Sequence, residues 1–211
     1  MLTFYHSPWT RSTGVRILLE ELGAPYEMQV LNRQKNEHRN PDYLRINPLA
    51  KVPAIDHDGA IVTEQVAIYA YLADAFPQRG LAPAIGDKLR GPYLRWLALY
   101  GTSFEPALVD KHLGHSPDPG NPQQVAMSPY GSYEGVVDLL GRQLSAGPFL
   151  LGERLTAADL LWGTAVGWTL QFKLLPERPE FTAYAGRIAG RASARKVNDE
   201  DAALAAMHNP S

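Results

Sequence analysis

Hydrophobic positions in the first third of the chain follow two periods in turn. Residues 2–6 (LTFYH) form a short apolar-rich run that Pro8 stops, as expected of a strand. From Ser12 onward Val15, Leu18, Leu19 and Leu22 recur at helical spacing and Gly23 closes the run, which predicts one amphipathic helix. Residues 26–31 read as a second strand, the polar stretch 32–40 as a surface connection, and 41–46 as one or two helical turns broken by Asn47-Pro48. Two apolar runs, 52–56 and 60–63, flank His57-Asp58-Gly59, and Asp-Gly between such runs predicts a hairpin. From Glu64 the period is helical again, with Ile68, Tyr71, Leu72 and Ala75 on one face until Phe76-Pro77. The predicted order is β-α-β-α-β-β-α, an α/β unit.

Residues 77–86 (PQRGLAPAIG) have no period and read as a linker. Everything beyond is helical in pattern. Residues 87–113 suit a long helix with an irregularity near Gly101, 114–122 a loop, and a further helix ends near 146–148. Two more are expected over roughly 156–172 and 180–205, the second broken near Gly190. Thr156-x-x-Asp159 is a capping-box pattern ahead of Leu160, Leu161, Val166 and Trp168, so that helix is apolar nearly all round and should be central. The expected organisation is thus an α/β domain over 1–76, a linker over 77–86 and an all-helical domain over 87–211.

Charge and composition narrow the chemistry. The formal net charge of the 211-residue chain is −2 with both signs interspersed, so there is no basic field to attract nucleic acid. The start, MLTFYHSPWTR, lacks a leader pattern, and no later run reaches spanning length, which leads us to expect a cytoplasmic protein with no membrane partner. Cysteine is absent from the sequence, which removes disulfides, thiolate metal sites and protein-thiol nucleophiles together. No metal is expected, and any thiol chemistry must use a thiol of the ligand.

Residues 47–55 (NPLAKVPAI), Thr63-Glu64-Gln65, and Thr156-Ala157-Ala158-Asp159 within a helical second half resemble, in that order, the glutathione transferase family. Each motif alone is weak; their ordered combination is specific and the likeness spans nearly the whole chain. The resemblance implies a thioredoxin-like first domain, an all-helical second one and a cis Val52-Pro53 bond. It further implies glutathione as cosubstrate with no permanently bound cofactor, a homodimer, and thiolate attack on small apolar electrophiles, a detoxification chemistry. Other readings of the same fold are a noncatalytic glutathione-binding or interaction protein and a glutathione-dependent isomerase, peroxidase or dehalogenase. Classes that reduce mixed disulfides through a cysteine are poor models for a chain without one.

By the same resemblance, Val52 ahead of Pro53 pairs its main chain with the ligand's cysteine as an added strand would; the plainer alternative is a proline at a strand start. Glu64 would face the γ-glutamyl ammonium, and Gln65, where serine is commoner, would give its N–H and side-chain amide to the neighbouring carboxylate. A plain first-turn glutamate, worth about 0.3 to 1 kcal/mol against the helix dipole, is the alternative. Lys51 and His38 are candidates for the ligand's glycine carboxylate, or are simply solvated.

Thiol activation sets a requirement that can be sized. A free thiol has a pKa of about 8.5, and lowering it two units takes about 2.7 kcal/mol. A hydroxyl donating to an anion supplies about 1.5 to 3 kcal/mol and a helix N-terminus about 0.3 to 1, so a hydroxyl at the start of the first helix suffices. Ser12 is the first choice because Arg11-Ser12 resembles the Ser-Arg-Ser run of bacterial relatives; a plain N-cap is the alternative and is compatible with that role, since the oxygen can accept a backbone bond while its proton points at sulfur. Tyr5 and Thr10 are the other candidates. Trp9, Tyr100, Phe104, His112, Trp168 and Phe172 are candidates to line an apolar substrate pocket, against the simpler reading that such aromatics are core.

Overall fold

In the computed structural model, which describes residues 1–208, strand β1 (Leu2–His6) is central to a four-stranded sheet of order β2-β1-β3-β4. It runs parallel to β2 (Glu27–Val30) and antiparallel to β3 (Ala54–His57), which pairs antiparallel with β4 (Ala60–Thr63). The β3–β4 turn is the expected Asp-Gly hairpin, with Asp58 at φ 53° and Gly59 at φ 88°, the left-handed pair that matches strand twist.

Period-two alternation sends Leu2, Phe4 and His6 to the fully buried face of β1, and Thr3 and Tyr5 to the other. Helix α1 (Arg11–Leu22) packs on the buried face beside α3 (Gln65–Ala75), while Tyr5 meets Tyr43 of α2 (Pro41–Ile46) with ring centroids 5.4 Å apart. Gly23, at φ 60°, ends α1 in a left-handed cap: its amide bonds the Glu20 carbonyl at 3.1 Å, and that of Ala24 the Leu19 carbonyl at 3.1 Å.

Packing divides the chain into two compact units, Met1–Leu81 together with the segment from Gly190, and Ala82–Ala189. The first division lies inside the expected linker over 77–86. The second was not anticipated: the pattern reading kept the last helix in the helical domain, whereas α10 (Ala192–His208) packs on α1 in the first unit. The break expected near Gly190 separates α9 (Pro179–Ala189) from α10 and makes this possible. Arg191 and Ser193 then bond Glu21, Lys196 bonds Glu20 at 2.7 Å, and Asp201 is buried against α1 and β1.

The second unit comprises α4 (Arg90–Leu99), α5 (Glu105–Leu113), α6 (Pro122–Met127), α7 (Tyr133–Ser145), α8 (Ala157–Gln171) and α9. The irregularity expected near Gly101 is a π-helical turn over Tyr100–Phe104, closed by a Glu105 N–H to Tyr100 carbonyl bond. Pro106 follows directly and has no N–H to continue the regular ladder, which accounts for the widened turn. Helix α8 is buried as its composition demands, and the Thr156/Asp159 box caps it: Asp159 accepts from the Thr156 amide at 2.8 Å and also from the Leu150 amide at 2.7 Å and the Tyr184 hydroxyl at 3.0 Å. Burial outweighs those bonds and raises the Asp159 carboxyl above the ordinary carboxylate range. Between α8 and α9 a small residue sets the spacing, since a Cβ at Gly163 would lie 2.2 Å from Ile188 Cγ1.

Gly163→Ala should therefore lower stability by about 1 to 3 kcal/mol through overpacking, read as a reduced urea midpoint; an unchanged midpoint would mean that α9 moves away at no cost.

Candidate functional site

The sheet register assembles one end of the first unit. Tyr5 lies opposite Ala54 and Ala54 opposite Thr63, so the C-terminal end of β1, the N-terminal end of β3 and the C-terminal end of β4 share one row. The start of α1, the Val52-Pro53 turn and the Glu64-Gln65 junction all issue from that row. Gln65 Nε2 donates to the Arg11 carbonyl at 3.2 Å, tying the first turns of α3 and α1 together.

At the start of α1 the helix begins one residue earlier than the pattern suggested, and Thr10 rather than Ser12 is the N-cap. Thr10 has extended backbone (φ −124°) and its Oγ1 accepts from the Ser12 amide at 3.2 Å, the capping role threonine performs well. Trp9 before it takes a left-handed φ of 56° and leaves its indole 60% exposed. Thr10 is half-buried, and its hydroxyl donates to the Ser7 carbonyl at 2.7 Å.

One step around the helix, Ser12 faces inward and is 0% exposed. Its Oγ is within hydrogen-bond distance of the Ser7 carbonyl (2.9 Å), the Ser7 amide (3.1 Å), His6 Nδ1 (2.9 Å) and Thr10 Oγ1 (2.7 Å). This corrects the preference for Ser12 as the group touching sulfur: a hydroxyl wholly enclosed by protein does not reach a ligand. Tyr5, on the opposite face of β1 from α1, is directed at α2 instead, where burial and then the charge of Asp56 raise its phenol above the usual range.

Behind Ser12 lies a network that pattern reading did not find. His6 Nε2 sits 3.0 Å from Asp201 Oδ1, Arg16 donates to the same oxygen at 2.9 Å, and Thr13 donates to Oδ2 at 2.6 Å. Arg16 also pairs with Glu200. Burial pushes the Asp201 carboxyl up, but the bond and charge of His6 with the bonds from Thr13 and Arg16 outweigh it and hold the group below the ordinary carboxylate range. The only sequence signal available was a histidine on the buried side of a strand, which carries no partner with it.

The remaining elements converge on the same row. The Val52-Pro53 bond is cis. Asn47, nearly buried, accepts the Leu49 amide on its side chain and donates to the Lys51 carbonyl at 2.9 Å, which Tyr43 Oη also bonds, so the turn is held from behind. Val52 itself has neither amide nor carbonyl engaged among the described residues. Glu64 is exposed at φ 65°, a left-handed conformation costing about 1 to 3 kcal/mol in a non-glycine residue. Its carbonyl accepts from Ile68 at 3.0 Å, leaving the amides of α3's first turn without helical acceptors. The Gln65 side chain is tied to the Arg11 carbonyl, while its backbone N–H lies in the first turn of α3, where no helical acceptor exists. Lys51 is exposed, and His38 is half-buried with its pKa lowered by desolvation and by the charges of Arg33, Arg39 and Lys51, which puts these cations in one field.

Of the aromatics suggested for a substrate pocket, two are core. Tyr100 and Phe104 are each 1% exposed and pack on Trp162, with Phe104 at 4.7 Å and Tyr100 at 5.6 Å between ring centroids. Both are enclosed by the packing around Trp162, so neither lines an open cleft. Trp168 is half-buried with Phe172, 65% exposed, 6.5 Å from it, and His112 is exposed. No group of three or more His, Asp or Glu side chains suited to a metal occurs among the described residues, and no helix among them is long and apolar enough to cross a membrane.

A mixed sheet flanked by helices, followed by a mostly helical unit, defines a thioredoxin-like domain joined to an all-helical one. Residues 1–74 match the family described as glutathione S-transferase, N-terminal domain. The chain is 28% identical to the glutathione S-transferase GstA of Escherichia coli O157:H7 over 90% of this chain and 94% of that one. Among solved structures it is similar to a glutathione transferase from Methylococcus capsulatus str. Bath (27% identity, TM-score 0.78, 96% and 100% of the two chains covered). It is likewise similar to a sphingomonad glutathione S-transferase complexed with glutathione (28% identity, TM-score 0.75, 95% and 98% covered). Residues 1–74 thus match the N-terminal domain of glutathione transferases, and the chain is similar to members of that family over nearly its whole length.

Asp201→Ala leaves His6 buried without its anion and Arg16 with Glu200 alone, and should cost about 3 to 5 kcal/mol at pH 7. Because the folded carboxyl titrates below its unfolded value, the stabilisation from Asp201 is complete above about pH 4 and is lost as pH falls through the depressed folded value. Urea midpoints of the two proteins should accordingly converge in strong acid, and a gap that stays constant from pH 7 downward would contradict this.

Proposed function

We propose that the chain binds reduced glutathione across the row formed by the ends of β1, β3 and β4 and activates its thiol through Thr10 for attack on small apolar electrophiles. The observation that carries this reading is the shared register of Tyr5, Ala54 and Thr63, which collects an N-cap hydroxyl, free strand-edge groups and free helix amides at one place. Val52 takes the ligand's cysteine main chain, Glu64 its ammonium, the Gln65 amide its α-carboxylate, and Lys51 with His38 its glycine carboxylate. Pro53 shapes the turn.

Thr10 suits the thiol because its oxygen already accepts from the Ser12 amide while its proton rests on a carbonyl. Turning that proton to sulfur exchanges a neutral acceptor, worth about 0.5 to 1.5 kcal/mol, for a charged one worth about 1.5 to 3. The α1 N-terminus adds about 0.3 to 1 kcal/mol for the anion. Trp9, exposed next to Thr10, is available to an electrophile. The family resemblance supports a homodimer working in the cytoplasm in detoxification.

Titration calorimetry with glutathione, paired with conjugation of an aryl halide, tests the reading; binding without conjugation would leave a noncatalytic glutathione-binding protein. Thr10→Val should reduce kcat roughly 10- to 100-fold, the loss of one charge-assisted hydrogen bond, with glutathione affinity nearly unchanged, and Thr10→Ser should retain most of it. Full turnover by the valine variant would return the role to another hydroxyl. Glu64→Gln should weaken glutathione binding about 10-fold or more by removing the ammonium's counter-charge, and an unchanged dissociation constant would remove Glu64 from the site.

A further inference from the structure

Four side chains form a continuous polar chain from the interior of the first unit to its proposed site. Asp201 Oδ1 lies 3.0 Å from His6 Nε2, His6 Nδ1 2.9 Å from Ser12 Oγ, and Ser12 Oγ 2.7 Å from Thr10 Oγ1. The first three are 0% exposed and Thr10 is half-buried, so the chain opens at one end. Carboxylate, imidazole and hydroxyl in sequence is also the order of a hydrolase triad. Ser12, however, is enclosed and bonded on all sides, which leaves it a conductor and not a nucleophile.

Donor and acceptor roles follow from the inner end. Asp201 accepts from Arg16 and Thr13 and, as a carboxylate, only accepts, so His6 must donate from Nε2. In a neutral imidazole Nδ1 is then an acceptor, and Ser12 donates to it. Ser12 Oγ takes the Ser7 amide on one lone pair and can take the Thr10 proton on the other. With the Thr10 and Ser12 protons turned from the Ser7 carbonyl, which both can also reach, every hydroxyl in that arrangement points inward, towards His6.

We propose that His6 is the internal acceptor for the glutathione thiol proton, reached through Thr10 and Ser12. The inference rests on the reading of Thr10 as the hydroxyl at sulfur. The S–H bond breaks as its proton passes to Thr10 Oγ1, the Thr10 proton passes to Ser12 Oγ, and the Ser12 proton passes to His6 Nδ1. One S–H bond is lost and one N–H bond gained, with no net gain or loss at either hydroxyl. The products are a thiolate and an imidazolium paired with Asp201, and every hydroxyl then donates outward, with Thr10 aimed at the anion it has just produced.

Charge bookkeeping agrees with this direction. The groups facing the cluster are Arg16 and Glu20 on α1, Glu200, Asp201 and Lys196 on α10, and the Tyr26 hydroxyl before β2, which bonds Glu20. Two cations against three carboxylates leave one negative charge, which a proton on His6 cancels. Helix α10, far from the site in sequence, thereby acts on the thiol through positioning residues that never touch it.

The test compares two signals on binding reduced glutathione at neutral pH: thiolate formation by ultraviolet absorbance, and proton release by calorimetry in buffers of different ionisation enthalpy. S-methylglutathione, which has no thiol proton, supplies the baseline. An internal acceptor predicts thiolate with less than one proton released per thiolate formed. Ser12→Ala breaks the chain and should raise the pH midpoint of the thiolate signal by about one unit or more, with any remaining thiolate formation now releasing a full proton. Asp201→Asn should act in the same direction where it folds, and Ser12→Ala spares the Arg16–Asp201 pair where it does not. One full proton released by the unaltered protein, or a Ser12→Ala titration that superimposes on it, overturns the relay. If Thr10→Val leaves the thiolate signal intact, the Thr10 reading falls and the relay with it. If Thr10→Val abolishes the signal while Ser12→Ala does not alter it, the relay alone falls.

Discussion

A buried carboxylate governs much of the first unit. Removing Asp201 from water costs several kcal/mol, a penalty offset only where donors satisfy the charge. Here His6, Thr13 and Arg16 do so, one from β1 and two from α1. The C-terminal helix is therefore held where those donors are, and the donors are held in turn. His6 loses its freedom to rotate, Ser12 is fixed between His6 and the Ser7 backbone, and Thr10 is placed by Ser12 at the opening of α1. Disturbance of that carboxylate would reach the site through bonds, with no contact to a ligand required.

The second organising constraint is the strand register. Antiparallel pairing of β3 with both β1 and β4 puts three chain reversals at one end of the sheet. Two of them leave backbone groups without intramolecular partners, at Val52 and at the first turn of α3, and the third presents the Thr10 hydroxyl at the N-cap of α1. A tripeptide zwitterion with a thiol near its middle offers complementary groups to all three. Left-handed backbone at Trp9, Ala50 and Glu64 falls at these three reversals, which is where strain is expected if it serves binding.

Residue-level chemistry was less legible than the fold. Arg11-Ser12 resembled a motif, but a shift of one residue in the helix start turns a side chain by about 100°, enough to bury Ser12 and leave Thr10 at the cap. Tyr100 and Phe104 were candidates for a pocket simply as aromatics, with core packing as the plainer reading; their packing on Trp162 puts both in the core. Gln65 illustrates a third kind of miss. Its place in the first turn of a helix was readable from the strand-to-helix junction, whereas its side chain went to the Arg11 carbonyl, an acceptor 54 residues earlier in the chain.

The sequence by itself determined the order β-α-β-α-β-β-α, the Asp-Gly hairpin, the Gly23 and Thr156/Asp159 caps and the break at Gly190, while the cis bond at Val52-Pro53 was implied only by the resemblance to a family. Those features are written in neighbouring residues, through hydrophobic period, turn chemistry and short motifs. Only the tertiary structure decided that α10 belongs with the first unit, that Ser12 is interior and Thr10 is not, and that His6 meets a carboxylate 195 positions away. A buried polar group is stabilised by whichever partner the fold delivers, and that identity is a property of three-dimensional proximity which no local pattern encodes.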